Sequence, residues 1–381
     1  MQSTPRRQRF LSQLSAGLCA LLLAAPGCSR ARTDAAASSA PLAFVTNGRS
    51  NTVTVVDLRA LSVKGTLNVG RNPTDVRARP GHAEVYVVAT DADRVEVINA
   101  VTQQVESVIP VGSRPFFIDF APDGRRAYVA NSGSDSLSVI NCERRHVEAT
   151  VRVGREPGLA RATPDGRLVV VSNRGDSTVS LVSTETWAVE ATIAVAEHPE
   201  GIAILADSSK AFVAATGAAQ VSVLDLRRRV LLTHIPVGET PVDLAIKPDG
   251  GELFVANFGS HTVTIINTWT NDAVETLPAG RQPARLLISR DGQLLYVTNF
   301  GSNQVQVVEI PIRRVAGSVT VGSQPDATAL TPDESILLVT NSGSSDLAVV
   351  RARELALSTL LPVGSSPRAV AVVSGAPVRS Q

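Results

Sequence analysis

A proline returns every 42 residues along this chain, at Pro73, Pro115, Pro157, Pro199, Pro241, Pro283, Pro325 and Pro367. A glycine stands three positions before seven of the eight, and Ala196 takes its place before Pro199. So exact a period leaves few folds open, because each unit must be one supersecondary motif packed against copies of itself.

The unit at residues 115–154 shows which motif. The apolar run 117–121 predicts a buried strand. Pro122-Asp123-Gly124 predicts a tight turn, with Pro presetting φ and Gly taking positive φ. Residues 127–130, 137–140 and 147–151 predict three further strands, with Asn131-Ser132-Gly133-Ser134-Asp135 turning the chain between the first two of these. Four antiparallel strands in such a length make one propeller blade. The Asn of that turn recurs at Asn47, Asn131, Asn173, Asn257, Asn299 and Asn341, with Ala89 and Ala215 in the gaps. Two residues on, glycine recurs at Gly133, Gly175, Gly217, Gly259, Gly301 and Gly343. The Asn side chain is expected to bond the turn backbone and the glycine to supply positive φ.

Before Pro73 lie three more strand patterns, at 43–46, 53–57 and 63–69; after Pro367 lies one, at 369–373. Three at the front and one at the back complete a further blade. The expected fold is therefore all-β: an eight-bladed propeller of four-stranded antiparallel blades over residues 42–373, with a split closing blade that hides the free edges. A seven-bladed ring with a loose terminal unit is the alternative.

Tyr296-Val297-Thr298-Asn299-Phe300-Gly301-Ser302-Asn303 resembles the YVTN repeat of bacterial surface β-propellers, and Phe44-Val45-Thr46-Asn47 and Phe254-Val255-Ala256-Asn257 echo it. The resemblance implies the propeller fold. It carries no universal catalytic set, because the motif is structural.

Upstream, Arg6, Arg7 and Arg9 precede an apolar run at 11–25 that is short and broken by serine, which predicts a signal peptide over 1–27 rather than a membrane span. Ala25-Pro26-Gly27-Cys28 is similar to a bacterial lipobox, which implies lipidation of Cys28 and a place in the cell envelope, at the periplasmic face of the outer membrane or the cell surface. Residues 28–41 read as an Ala/Ser-rich tether and 374–381 as a disordered tail. A monomer is expected.

Charge excludes a strongly basic nucleic-acid footprint, since 36 basic residues face 35 acidic ones. Of three cysteines only Cys142 lies in the body of the chain, so no internal disulfide framework is expected and Cys142 reads as a small buried hydrophobe. With five scattered histidines and no CxxCH motif, neither a metal, a covalent haem nor another cofactor is expected.

Strand direction places the Gly-x-x-Pro and Asn-x-Gly turns on one face, the upper, and the Pro-Asp-Gly turns on the other. The fourth residue after each proline reads Arg77, Asp119, Arg161, and then only alanine or leucine. Together with Asp75 these form either an inter-blade salt-bridge ladder or an anion site built from guanidinium forks. Arg114, Phe116, Phe117, Phe258 and Phe300 complete the candidate binding face, the four Phe being partner anchors or rings buried beneath the loops. Asp91 and Asp93 replace one Asn-x-Gly but offer too few oxygens for calcium. Trp187 and Trp269 fall in lower-face turns and need no functional role.

These features point to a non-catalytic envelope scaffold that recognises a protein, peptide or glycan through its upper face. A hydrolase or lactonase is the second reading, with its base among Glu197, His198, Glu200 and Glu239. Exact repetition counts against it, since catalytic sites need irregular, precisely placed groups. Single-stranded nucleic-acid binding is the third, through Arg49, Arg71, Arg94, Arg114, Arg155 and Arg174.

Overall fold

The structure, a computed structural model, describes residues 40–374; the expected signal peptide, Cys28 and the residues after Ser374 lie outside the described part. Each repeat folds into four short strands, and in the blade that begins at Pro115 these are Pro115–Phe120, Arg126–Asn131, Ser136–Asn141 and His146–Arg152. The described residues form eight such four-stranded antiparallel sheets. The protein is an eight-bladed β-propeller. Blades are numbered here from the one that begins at Pro73.

The two central strands of each blade are buried almost end to end, as in the segments RAYVAN and SLSVIN. Both of their faces lie under neighbouring blades, so valine, isoleucine and alanine run continuously instead of alternating with polar residues. The core therefore sits between blades. Tyr86, Val88 and Val97 of blade one pack with Ile118, Val129 and Ile140 of blade two, and Tyr86 meets Phe120 edge-on at 5.1 Å. Cys142 belongs to the same cluster and is 1% exposed, as expected of a small hydrophobe. Burial pushes its thiol up to about 11.

The closing blade is split. Its strands run in the order Ser62–Asn68, Thr52–Asp57, Leu42–Asn47 and Pro367–Val373. Leu42 pairs with Val373, Phe44 with Ala371 and Thr46 with Ala369. A side-chain bond adds to the seam, from the Ala369 amide to Thr46 Oγ1 at 3.0 Å. The seven-bladed alternative is thereby set aside.

The turns correct two expectations. Asn131 does not bond the turn backbone: its Nδ2 donates to Ser136 Oγ (3.1 Å) and Ser138 Oγ (2.9 Å) on the next strand. Asn47, Asn173 and Asn257 reach Thr or Ser hydroxyls in the same way. The reason is position, since the Asn is the buried last residue of its strand and lies across the hairpin. Nor does the glycine of Asn-x-Gly supply positive φ. That conformation falls two residues later, as at Asp135 (50°) and Asn303 (56°). Gly133 is required by space, for a Cβ there would stand 3.1 Å from Arg114 Cγ and 3.2 Å from the Ser113 carbonyl.

The other recurrent glycine has a similar cause. A Cβ on Gly112 would stand 2.6 Å from Cγ of Asn131. The chain's one exception fits: Ala196 stands opposite Ala215, one of the two units that lack the Asn. The second such unit keeps its glycine: a Cβ on Gly70 would stand 2.6 Å from Cβ of Ala89, and the Gly70 amide donates to Glu96 Oε1 at 2.7 Å.

Candidate functional site

Eight inner strands surround a central bore, which they enter at their prolines on the upper face. A cavity of about 350 Å³ lies within it. Blades one to three give it a charged and aromatic wall through Asp75, Arg77, Phe116, Phe117 and Arg161, while the opposite side carries Leu244, Leu287, Ala327 and Ala369.

The structure brings the predicted bore residues together. Phe117 is buried, and two guanidinium groups pack on its ring, Arg77 Cζ at 4.8 Å and Arg161 Cζ at 4.7 Å from the centroid. Arg77 Nε stands 3.5 Å from Asp75 Oδ2, and Arg161 Nη1 stands 3.8 Å from Asp119 Oδ1. The carboxylates do closer work on the backbone of the next blade. Asp75 Oδ2 accepts from the Ile118 amide (3.2 Å) and Asp119 Oδ2 from the Ala162 amide (3.2 Å). Asp243 repeats the device on the far side, its Oδ2 accepting from the Leu286 amide at 2.9 Å. So the acids act as stitches between blades, and the arginines stand beside them.

The two arginines differ electrostatically. Burial acts to lower the Arg77 guanidinium, but the charges of Asp75, Asp119 and Asp243 carry it upward. Arg161 is pushed down, first by burial and then by the like charge of Arg77, which Asp119, Asp75 and Asp243 only partly offset.

Sequence reading missed half of the bore. Arg285 Nη2 lies 3.9 Å and Arg368 Nη1 3.5 Å from the carboxylate of Asp326. These residues stand one or two positions after their prolines, whereas only the fourth position had shown an irregularity. The signal lay in the same alignment, in the neighbouring columns.

Above the bore, Arg174 Cζ sits 5.0 Å from the centre of the half-buried Phe116 ring and its Nη1 3.6 Å from Glu200 Oε2. A groove of about 730 Å³ opens beside them, lined by Arg114, Asp135, Arg155, Glu156, His198 and Glu200. Phe258 and Phe300, both half-buried, touch across adjacent blades with centroids 6.1 Å apart. Asp93 is occupied, accepting from the Arg114 amide at 2.7 Å, and the Asp91 carbonyl accepts from Arg71 Nη2 at 2.9 Å. Among the described residues no three His, Cys, Asp or Glu side chains are grouped to hold a metal ion.

The groups proposed for hydrolysis divide. Glu197, His198 and Glu239 are exposed, and Glu200 is turned to Arg174. The arginines proposed for nucleic acid are partly committed elsewhere. Arg94 Nε donates to the buried Glu96 at 2.7 Å, and Arg155 Nη2 to the Gly175 carbonyl at 2.7 Å. On the lower face Trp187 stacks near Tyr128 (6.4 Å) and Arg126 (5.1 Å), whereas Trp269 is 73% exposed.

No family model matches the chain, and no curated protein matches it. Among solved structures it is similar to dihydro-heme d1 dehydrogenase NirN in complex with DHE, with 15% identity and a TM-score of 0.74 over 86% of this chain and 74% of that one. It is similar also to apo AztD from Citrobacter koseri, with 15% identity and a TM-score of 0.67 over 89% and 99%. Hydrazine synthase from Kuenenia stuttgartiensis gives 21% identity and a TM-score of 0.61 over 73% and 95%. At these identities the likeness shows a shared β-propeller fold and nothing finer.

Proposed function

We propose that this propeller is a non-catalytic binding scaffold of the cell envelope, anchored by lipid at Cys28, which recognises a protein, peptide or glycan through its upper face. One observation carries the reading. The residue before each repeat proline adopts the left-handed conformation in all eight blades, with φ between 49° (Arg114) and 56° (Gln282), yet none is glycine. The eight are Asn72, Arg114, Glu156, His198, Thr240, Gln282, Gln324 and Ser366. In five of the eight the amide is held by a side chain 21 residues earlier, as in Asn72 to Asn51 Oδ1 (2.9 Å), Glu156 to Asp135 Oδ1 (2.9 Å) and Gln324 to Asn303 Oδ1 (2.9 Å). A constant, strained backbone thus displays eight polar side chains that vary from blade to blade. Recognition surfaces are built in this way, from variable groups on a rigid frame.

Phe116, Phe258 and Phe300 add apolar contact area on the same face. The mixture of Arg114, Arg155 and Arg174 with Asp135, Glu156 and Glu200 suits a protein or glycan better than a polyanion. The chain enters its first strand at Leu42, at the lower end of the closing blade.

The test is a pull-down from a detergent-solubilised envelope extract with the bead-tethered protein, beside a variant carrying Arg114→Ala, Phe258→Ala and Phe300→Ala. A protein or glycan retained by the parent and lost by the variant is the expected result. Equal retention by both removes the upper-face reading. Loss of metabolic palmitate label in Cys28→Ser checks the anchor in the same cells.

A further inference from the structure

Four guanidinium groups line the bore, those of Arg77, Arg161, Arg285 and Arg368. None closes a tight fork on a carboxylate. Their nearest carboxylate oxygens stand at 3.5, 3.8, 3.9 and 3.5 Å. Some arginines elsewhere close tight pairs, for Arg145 donates at 2.7 Å to both Glu84 and Glu106, and Arg79 bonds Glu84, Glu143 and the Gly124 carbonyl, while others such as Arg174 with Glu200 at 3.6 Å do not. The four bore arginines thus lack a tight carboxylate partner. Arg77 Nε is buried, and its close acceptor, Asp75 Oδ2, stands at 3.5 Å, a long contact that leaves the donor poorly satisfied.

Three acids of the bore, Asp75, Asp119 and Asp243, are engaged on the backbone of the next blade, while Asp326 faces Arg285 and Arg368. Both oxygens of Asp75 already accept backbone amides, from Val76 (3.0 Å) and Ile118 (3.2 Å), and Asp243 accepts from Leu286. The like charges of Arg77 and Arg161 both pack on the Phe117 ring, and an anion held beside them would offset the repulsion that, after burial, lowers Arg161. Facing this wall are Leu244, Leu287, Ala327 and Ala369, which would be covered by carbon and not by a bare inorganic ion. The volume, about 350 Å³, falls at the small end of ligand cavities.

From these observations we infer that the bore is a binding site for a small organic anion bearing two or more carboxylates. Arg77, Arg161, Arg285 and Arg368 take its carboxylates, and the apolar part of the lining packs against the carbon skeleton between them. Guanidinium forks match carboxylates in geometry as well as charge. The site is independent of the upper-face partner reading, which uses none of these four arginines, and either can fail alone.

Calorimetric titration of the purified full chain, at constant ionic strength, tests it with four probes: citrate, succinate, propionate and inorganic phosphate. Citrate or succinate is expected to saturate one site per chain, with propionate much weaker. Arg161→Met is expected to weaken that binding by about tenfold to a hundredfold, the loss of one charged hydrogen-bonding group. Should Arg161→Met fail to fold, Arg161→Lys keeps the charge, removes the fork and must still weaken the di- or tricarboxylate. Saturation by phosphate alone, propionate binding as tightly as succinate, or no saturation by any carboxylate each overturns the inference. So does undiminished binding in a folded Arg161 variant.

Discussion

At Gly112 an added Cβ would stand 2.6 Å from Asn131 Cγ and 2.5 Å from Ser134 Oγ, so Gly112→Ala forces the hairpin apart. Overpacking of this kind costs about 1–3 kcal/mol. Paired with Asn131→Ala, which reproduces the Ala196–Ala215 combination found in blade four, the same substitution is expected to cost less than the sum of the two single changes. Urea unfolding of the two singles and the double reads the coupling. The linkage between the two positions was partly legible in the chain, because Ala196, the one alanine at the glycine position, goes with Ala215, whereas Ala89 goes with Gly70. The roles were not, since hydroxyl partners such as Ser138 lie on a strand whose register only pairing reveals. A second residue gives a pH signature. Cys142 titrates near 11 when folded, against an ordinary value of 9.0. The folded state thus favours the neutral thiol. Its contribution is complete below pH 9 and is lost as pH rises towards 11, by about 2 kcal/mol or more. Thermal melts should therefore fall more steeply between pH 9 and 11 in the parent than in Cys142→Ala.

At the scale of the strand, the closing seam decides whether the ring exists. Removing residues 367–381 deletes the partner of Leu42–Asn47 and leaves that strand as an open edge facing the bore. The truncated chain is expected to melt at least roughly 10 °C lower, or to lose a single sharp transition, by differential scanning calorimetry. An unchanged melt would mean that the terminal strand is dispensable. The seam was readable beforehand, because one strand pattern after Pro367 matches three before Pro73. Turn chemistry was less so. The left-handed residues Asn51, Asp93, Asp135, Ser177, Ala219, His261, Asn303 and Ser345 lean towards Asn, Asp and His, as that conformation favours, but Ala219 and the two serines blur the signal. What they share is a place in the hairpin, and tertiary bonding carries the strain.

For the molecule as a whole, repetition made the architecture legible and hid the chemistry. An exact period determines blade number, strand order and the two faces. A binding site, by contrast, lives in departures from the period, and these are informative only when every column lining the bore is compared. Arg77, Asp119 and Arg161 stood out because their column is otherwise alanine and leucine. Arg285, Asp326 and Arg368 sit in columns already mixed, where one more charge draws no notice. Closure of the ring has a last consequence, for the order of events in making the protein. Thr46 and Ala369 bond each other 323 residues apart in sequence. The first strand to leave the ribosome must wait for the last before its free edge is covered, while complete blades accumulate between them. Throughout synthesis, then, the nascent chain carries an unsatisfied strand at its leading end, and every premature stop before Pro367 releases a molecule with that strand still open.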